Sequence, residues 1–217
     1  MYRYVIFDMD GTIVNTLEDL ADAANWVCEQ HGWPGHPVEA YKKFVGNGAH
    51  KLLERVIPKN VELTSQLRGQ LVQEFAKRYT QHGTDKTVVY DGMPQALERL
   101  KAAGVNVAVL TNKPDAAAGP MVDYYYPGVF SYVQGALPDV PTKPDPTLLH
   151  KLMERMGASE EETLFVGDSN VDIRTAKNGG LTSCGVLWGF RDREELEGEG
   201  ADFIVETPEE LANLILN

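Results

Sequence analysis

The sequence predicts an α/β fold, in which a parallel sheet with helices on both faces carries an inserted all-helical subdomain. Three observations indicate this fold class. Short apolar runs alternate with helical patterns along most of the 217-residue chain, as they do in parallel sheets. Several helical patterns end at a glycine, which is a frequent helix stop. After the first apolar run, about 70 residues of helical pattern come before the alternation resumes, far more than an ordinary crossover needs.

The strands are predicted from short, continuous apolar runs, which are typical of strands buried on both faces of a sheet. These runs are Tyr4–Phe7, Val105–Leu110, Thr163–Val166, Cys184–Leu187 and Phe203–Val205. In folds of this class, ligands bind at the carboxyl ends of the strands. The residues that directly follow each run are therefore the first candidates for a functional site.

The helices are predicted from apolar residues at helical spacing. Those between the later strands are Gln95–Ala103, Thr147–Met156 and Val171–Asn178. Those after the first strand are Leu17–Cys28, Tyr41–Val45, Ala49–Val56 and Ser65–Tyr79. Thr16 is the expected N-cap of the first of these, with Asp19 three residues on, as in a capping box. We therefore expect a core formed by residues 1–14 and 86–217 and a helical insertion at 15–85.

Composition and charge exclude several classes of function. The formal net charge of −12 argues against binding to nucleic acid, whose phosphates demand basic residues. No apolar run approaches the roughly 20 residues that span a bilayer, and the N-terminus carries no apolar targeting segment. We therefore expect a cytoplasmic protein with no membrane partner. Cys28 and Cys184 form no Cys-x-x-Cys pair and are expected to be reduced.

Asp8 and Asp10 directly follow the first predicted strand, in the stretch Asp-Met-Asp-Gly-Thr that ends at Thr12. Two carboxylates at positions i and i+2 can face one pocket if the chain turns after them, and Gly11 permits such a turn. Carboxylates this close repel each other, so a cation would normally hold them ionised. Mg²⁺ suits oxygen ligands of this kind. The alternative is an acidic loop that caps the next helix.

Two other strand ends carry polar residues. Thr111 and Asn112 follow the second strand, where a hydroxyl and an amide near a helix start would suit a phosphate group, although Thr-Asn also commonly opens a loop. Asp168 ends the third strand, and Asp172 follows one helical turn later, on a face that can point back to it. Asp172 could serve a metal site or cap its helix electrostatically.

Lys143 supplies the positive charge that an anionic substrate would need on so acidic a chain. It lies in the stretch Thr-Lys-Pro-Asp-Pro, where Pro144 and Pro146 stiffen the backbone around it. The purely structural alternative is a solvated lysine before a helix, with Asp145 as N-cap and Pro146 at the first helical position.

The order and spacing of these four motifs resemble the haloacid dehalogenase-like hydrolase superfamily, over nearly the whole chain. The resemblance implies a Rossmann-like catalytic core, and it identifies the helical insertion as a cap of the first type (C1). It implies that Asp8 is the nucleophile and that Asp10 is the general acid and base. Thr111 would hydrogen-bond the transferring phosphoryl group, and Lys143 would hold nucleophile and phosphate together.

The resemblance also implies a metal site and a substrate class. Mg²⁺ would bind Asp8, Asp168 and the backbone carbonyl of Asp10, with Asp172 as a supporting acidic residue. The partner would be a small phosphorylated metabolite. The residues expected to contact it are Gly11, Thr12, Asn112 and, in the cap, Asn47 and His50.

Within the superfamily, the chain is most similar to the phosphoglycolate phosphatase group. The shared stretches are Val45–Gly48, Thr111–Pro114, Lys143–Pro146, Val186–Phe190 and Ala201–Val205. There are two departures from that group's pattern. The pair Gly119-Pro120 interrupts the helix expected after Lys113, and Asp91 stands where a proline is usual.

We therefore expect a Mg²⁺-dependent phosphatase that hydrolyses a small phosphate monoester, first of all 2-phosphoglycolate, through an aspartyl-phosphate. A pyrophosphatase and a nucleotide or sugar phosphatase of the same superfamily are the alternatives. A phosphomutase is less favoured, because such relatives usually carry an apolar residue at Thr12. Asp10 argues against dehalogenation, and the four intact motifs argue against a non-enzymatic binding protein. Monomer and homodimer both stay open.

Overall fold

The computed structural model describes all residues from 1 to 217, and they form two compact units. The first unit consists of Met1–Val14 and Val89–Asn217, and the second of Asn15–Val88. The second unit thus occupies the stretch of chain where the sequence predicts an insertion at 15–85. None of the helices in either unit combines the length and the hydrophobicity needed to cross a membrane.

The first unit is built around a parallel sheet. In chain order, the strands are β1 (Tyr4–Phe7), β2 (Val14–Asn15), β3 (Val88–Val89), β4 (Asn106–Pro114), β5 (Tyr132–Ala136), β6 (Thr163–Gly167), β7 (Thr182–Val186) and β8 (Phe203–Val205). Six of them form one sheet in the order β5-β4-β1-β6-β7-β8, and every neighbouring pair is parallel. The short strands β2 and β3 pair with each other.

Ten α-helices accompany these strands. Those of the second unit are α1 (Leu17–Gln30), α2 (Tyr41–Phe44), α3 (Gly48–Val56) and α4 (Ser65–His82). Those of the first unit are α5 (Met93–Ala102), α6 (Asp115–Tyr125), α7 (Thr147–Met156), α8 (Asn170–Asn178), α9 (Arg193–Gly198) and α10 (Pro208–Leu216). A 3-10 turn at Val38–Ala40 precedes α2.

Helix α7 illustrates how the helices cover the sheet. Its apolar residues recur at helical spacing and so share one face. They are Leu148, Leu149, Leu152, Met153 and Met156. This face is buried in one cluster with Ile6, Leu110 and Phe165 of three neighbouring strands. Burial of each large apolar side chain contributes roughly 1.5–3 kcal/mol, and the cluster therefore fixes α7 on the sheet.

The register of the sheet aligns the carboxyl ends of its central strands. In β1, Phe7 is paired with Val109 of β4 and with Val166 of β6. The N–H of Asp8 continues this ladder by donating to the Val166 carbonyl at 2.8 Å. Residues that follow β1, β4 and β6 along the chain therefore emerge at one edge of the sheet.

The predicted α/β fold class with a parallel sheet is confirmed, but two elements differ from the prediction. Strand β5 was not predicted, because its sequence Tyr-Val-Gln-Gly-Ala breaks the apolar run with a glutamine and a glycine. Helix α6 does form, although Gly119 and Pro120 were expected to interrupt it. A proline inside a helix removes one hydrogen bond, and burial of Ala118, Met121 and Val122 on both sides of it offsets that loss.

Two helix starts also differ from the prediction. Pro146, not Asp145, is the N-cap of α7, and the Asp145 carboxylate accepts a hydrogen bond from the Thr147 N–H at 2.9 Å. The Thr16 side chain makes no capping hydrogen bond in α1. The buried Asp19 carboxylate accepts instead from Thr87, from the N–H at 2.8 Å and the hydroxyl at 2.7 Å. Asp19 thus ties α1 to the last residues of the helical unit.

Candidate active site

Asp8 and Lys143 form a buried ion pair at the carboxyl end of β1. The Lys143 Nζ lies 2.8 Å from Asp8 Oδ1 and 2.7 Å from Asp172 Oδ1. Only 3% of the Lys143 side chain is exposed. A single ammonium thus joins the carboxylate that follows β1 to a carboxylate of α8.

Asp172 caps its helix, one of the two roles that the sequence leaves open, and also contacts Lys143. It stands in the first turn of α8, where it forms a capping box with Ser169. Asp172 Oδ2 accepts from the Ser169 N–H at 3.1 Å and from its hydroxyl at 2.7 Å. The other oxygen, Oδ1, accepts from Lys143. The helix cap therefore fixes the carboxylate that in turn orients the lysine.

Asp168 follows β6 and is buried against two loops. Its Oδ2 accepts from the Phe190 N–H at 2.7 Å, and its Oδ1 lies 3.4 Å from the Thr12 hydroxyl. The indole N–H of Trp188 donates to the Thr12 carbonyl at 2.9 Å. The turn Trp188-Gly189-Phe190 after β7 thus holds both Asp168 and the loop that follows Asp8.

Two glycines flank the Asp168 carboxylate. Gly11 adopts a φ of +90°, which L-residues rarely reach, so the predicted turn after Asp10 is present. A Cβ at Gly11 would lie 2.4 Å from Asp168 Oδ2, and a Cβ at Gly189 would lie 2.2 Å from Asp168 Cβ. Any side chain at either position would displace the carboxylate.

The carboxylates of the site are suited to a divalent cation. Oxygen atoms of Asp8, Asp168 and Asp172, all buried, lie within 4.8 Å of one another. Two lysines pair with the carboxylates of this edge, Lys143 with Asp8 and Asp172 and Lys113 with Asp10, and the charge of Arg191 also acts on Asp168. Oxygen ligands are those that Mg²⁺ prefers, so the residues fit this ion.

Burial and neighbouring charges shift the pKa values of three groups of the site. Burial and the neighbouring Asp172 raise the pKa of Asp8 to about 7, against the opposing effect of Lys143. Burial, with the charges of Asp172 and Asp8, raises the pKa of Asp168 well above its usual value. Burial alone would lower the pKa of Lys143, but the two carboxylates beside it raise it.

Asp10 has a lysine of its own. The Nζ of Lys113 lies 3.1 Å from Asp10 Oδ1 and 3.2 Å from Oδ2, and only 4% of the Lys113 side chain is exposed. The N–H of Lys113 donates to the Thr111 hydroxyl at 3.2 Å. Both residues belong to the end of β4, which extends four residues beyond the predicted Leu110 to Pro114.

Asn112 contacts the backbone of Lys143 with both ends of its amide. Its Oδ1 accepts from the Lys143 N–H at 2.9 Å, and its Nδ2 donates to the Lys143 carbonyl at 3.0 Å. Asn112, Thr111 and Lys143 are all buried. The end of β4 thus holds the segment that carries the lysine.

The predicted core residues come together at this edge, and the predicted cap residues belong to the second unit. Asn47 is the N-cap residue of α3, and its Oδ1 accepts from Arg55 Nη2 at 2.7 Å. His50 lies in the first turn of α3 and is exposed. The contacts of Asn47 and His50 with a substrate stay a prediction.

Nothing in the sequence indicates a role for two residues of this site, Lys113 and Tyr90. Lys113 is part of the stretch Thr111–Pro114 that supports the resemblance. Burial, with the charges of Asp168 and Asp10, raises the pKa of Tyr90. No local pattern in the sequence marks Tyr90, since the strand before it has only two residues.

Comparison with known proteins agrees with this geometry. The family model described as haloacid dehalogenase-like hydrolase matches residues 5–186. The chain belongs to this family. Phosphoglycolate phosphatase of Vibrio cholerae is 33% identical over 221 residues, which cover 99% of this chain and 97% of the relative. The enzyme of the same name from Pseudomonas putida is 32% identical over 208 residues, covering 94% and 76%.

Solved structures of this family have the same fold. A crystal structure from Lactobacillus delbrueckii subsp. bulgaricus superposes with a TM-score of 0.92 at 31% identity, covering 99% of this chain and 98% of that one. A predicted phosphoglycolate phosphatase from Haemophilus somnus gives 0.89 at 28% identity, covering 98% and 97%. The expected membership of the phosphoglycolate phosphatase-like group is confirmed, and so is the expected enzyme class, a phosphoric monoester hydrolase.

Proposed function

We propose that this hydrolase cleaves a small phosphate monoester, with Asp8 as the nucleophile and an aspartyl-phosphate as the intermediate. One observation carries the assignment: Asp8 is the carboxylate that directly follows the central strand β1, and Lys143 Nζ lies 2.8 Å from it. An ammonium at that distance can also contact a phosphoryl oxygen that approaches Asp8. A carboxylate nucleophile divides hydrolysis into two easier steps.

In the first step, an oxygen of Asp8 attacks phosphorus and the bond from phosphorus to the leaving oxygen breaks. Asp10 donates its proton to that leaving oxygen, so that an alcohol departs. Lys143 stays beside Asp8 and neutralises charge on the phosphoryl oxygens during transfer. The hydroxyl of Thr111, at the end of β4, is assigned to the same phosphoryl group.

In the second step, water attacks the phosphorus of the aspartyl-phosphate. Asp10, now a carboxylate, accepts a proton from that water, and the bond between phosphorus and Asp8 breaks. Inorganic phosphate leaves, Asp8 is regenerated as a carboxylate, and Asp10 again carries its proton. Atoms and charges balance without any redox partner.

Mg²⁺ is the proposed cofactor, and Asp8, Asp168 and the backbone carbonyl of Asp10 are its proposed ligands. When bound, it would neutralise phosphoryl oxygens as a Lewis acid. In this proposal Asp172 orients Lys143 and supports the site without binding the ion; its oxygens accept hydrogen bonds from Ser169 and Lys143. Gly11 and Gly189 leave room for Asp168 to reach the ion.

The proposed substrate is 2-phosphoglycolate. Its support is the likeness to phosphoglycolate phosphatases that are 31–33% identical over most of their length. Pyrophosphate and nucleotide or sugar phosphates stay open as alternatives, because specificity in this proposal is assigned to the helical unit as a cap. There, Asn47 and His50 are the residues proposed to contact the organic part of the substrate. A cytoplasmic location likewise stays a prediction.

Replacement of the nucleophile tests the proposal. We expect Asp8→Asn to lower kcat for 2-phosphoglycolate by about 10⁴-fold or more, because an amide cannot form the phosphorylated intermediate. Phosphate release in the presence of Mg²⁺ measures turnover, and mass spectrometry after acid quenching measures the phosphoryl group on the wild-type chain. A panel of other phosphate esters identifies the preferred substrate.

Asp123→Asn is the matched control, since Asp123 is an exposed aspartate of α6 outside the site. It should leave kcat unchanged. Undiminished turnover by Asp8→Asn, or a phosphoryl group bound to a residue other than Asp8, would exclude the proposed nucleophile.

A further inference from the structure

The proposed mechanism leaves one buried charge of the site without a role, the ammonium of Lys113. Its side chain is 4% exposed, and its Nζ contacts both oxygens of Asp10 at 3.1 and 3.2 Å. Removing both charges of an ion pair from water is costly, and a pair of hydrophobic residues is often as stable or more stable in the same space. Stability alone therefore does not favour an ion pair here.

The two lysines of the site serve different carboxylates. Lys143 contacts Asp8 and Asp172, whereas Lys113 contacts Asp10. Asp8 and Asp10 are two residues apart, and the charge of Asp10 acts unfavourably on Asp8. Each of these neighbouring aspartates is thus held by a separate ammonium, presented by a separate segment of the chain.

Contact with both oxygens constrains how the Asp10 carboxylate can rotate. A single hydrogen bond leaves a carboxylate free to turn about its last torsion, whereas a donor between both oxygens fixes its plane. The backbone of Lys113 is held on both sides, because β4 pairs with β5 at Leu110 before it and at Pro114 after it, and its own N–H donates to the Thr111 hydroxyl. The position of Asp10 is therefore coupled to the central sheet.

We propose that Lys113 is a positioning residue for Asp10, which orients the protonated carboxyl group toward the leaving oxygen in the first step and the carboxylate toward water in the second. This inference rests on the proposed function, in which Asp10 is the proton donor and acceptor. A misplacement of about 1 Å can lower a rate by about 10²-fold. Loss of Lys113 should then lower the rates of the steps that need a proton from Asp10 and leave the rates of the other steps unchanged.

Leaving groups of different basicity separate this role from a structural one. An alkoxide needs a proton to depart, whereas 4-nitrophenolate departs as the anion. Lys113→Met should therefore lower kcat/KM for 2-phosphoglycolate by about 10²-fold. It should lower kcat/KM for 4-nitrophenyl phosphate only about 10-fold. Asp10→Asn should show the same preference for the aryl ester. The double variant should lose no more than Asp10→Asn alone, because the two residues act as a unit.

Lys101→Met is the matched control, because the Lys101 Nζ donates to the Gly128 carbonyl at 3.0 Å but the side chain lies on the surface away from the site. It should leave both kcat/KM values unchanged. Circular dichroism during thermal unfolding establishes that each variant is folded. If Lys113→Met does not fold, Lys113→Gln, which keeps a hydrogen-bond donor without the charge, is measured with the same two esters.

The outcomes distinguish this inference from the proposed function. Equal losses for both esters in the folded Lys113 variant, or additive losses in the double variant, would overturn the positioning role while Asp10 keeps its own. Absence of any leaving-group preference in Asp10→Asn would overturn both, since Asp10 would then not be the proton donor. A greater loss for the alkyl ester in both single variants supports the inference.

Discussion

Asn112 and Lys143 lie 31 residues apart in the sequence, and two hydrogen bonds join the amide of the first to the backbone of the second. The arrangement fixes the base of the Lys143 side chain, whose far end reaches Asp8. Asn112 was predicted to contact substrate, and that role is untested. Its amide contacts indicate that it can affect catalysis through Lys143.

Asn112→Ala should therefore lower both stability and kcat. It leaves a buried N–H and a buried carbonyl of Lys143 without these partners, which costs about 1–3 kcal/mol for each unsatisfied group. A shift of the ammonium should lower kcat by about 10-fold or more. Urea unfolding and phosphate release measure the two effects.

Asn178→Ala is the control, because Asn178 donates one exposed hydrogen bond to the carbonyl of Pro144, the residue after Lys143, at 2.9 Å. Its kcat should stay at the wild-type value. A normal kcat in Asn112→Ala would show that Lys143 keeps its place without Asn112.

At the residue scale, the sequence indicates which aspartates lie together at the edge of the sheet but not which residues contact them. Asp8, Asp168 and Lys143 were singled out because each directly follows a strand or lies in a stiffened loop. The contact between Lys113 and Asp10 joins residues 103 positions apart. Periodic patterns in a sequence do not indicate contacts between residues so far apart. The two hydrogen bonds between the Asn112 amide and the Lys143 backbone could not be predicted for the same reason.

At the scale of elements, β7 and β8 are joined by side chains as well as by their ladder. Asp202 Oδ2 accepts from the Ser183 N–H at 2.8 Å and from the Ser183 hydroxyl at 2.7 Å. The Asp202 N–H donates back to that hydroxyl at 3.0 Å. These bonds anchor the edge strand β8 beside β7, from which the Trp188 turn continues.

The stability contributed by Asp202 should depend on pH. Burial alone would raise the pKa of Asp202, but the Ser183 hydrogen bonds and the charge of Lys177 hold it below its usual value. A lowered pKa in the folded state means that the stabilisation is present above about pH 4, the pKa of an unfolded aspartate. It is lost as the pH falls through the lower pKa of the folded state.

Asp202→Asn should accordingly destabilise the protein at pH 7 by less than about 1 kcal/mol, since the group is exposed. The difference from wild type should disappear under strongly acidic conditions. Urea unfolding across the pH range measures it, with Asp123→Asn as control. A difference that grows as the pH falls would contradict the sign of this linkage.

Elements with strong periodicity were predicted closely, whereas elements fixed by their neighbours were not. The bounds of β1, β8 and α7 match the prediction, because their apolar runs and faces are uninterrupted. Strand β5 pairs with β4 despite a glutamine and a glycine, and α6 continues through Pro120. In both, burial against adjacent elements outweighs local propensity.

At the scale of the whole molecule, the buried lysines of the site are opposite in sign to the net charge of the chain. The chain has a formal net charge of −12, yet Lys113 and Lys143 are buried among the carboxylates of one edge. Alternating strands and helices predict that edge, because parallel strands end together. The order of the strands in the sheet and the partners of each lysine required the structure.

Removal of Mg²⁺ should abolish turnover and leave the fold intact. The two lysines already pair with Asp8, Asp10 and Asp172 within the protein itself, unlike the ligands of metal sites that fold only when loaded. Treatment with EDTA should leave the far-ultraviolet circular dichroism unchanged, and added Mg²⁺ should restore phosphate release. The melting temperature should fall only by the amount that mass action on the bound ion predicts. Unfolding by the chelator would contradict this expectation.

The close approach of Gly11 and Gly189 to Asp168 has a consequence for how the sequences of related proteins are interpreted. A chain of this family with every aspartate and lysine in place, but with alanine at either glycine, would crowd its Asp168 carboxylate by contacts below 3 Å. Such a chain would keep the recognisable motifs and have lost the means to use them. One added methyl group would then make a member of this family inactive, although no catalytic acid is missing from its sequence.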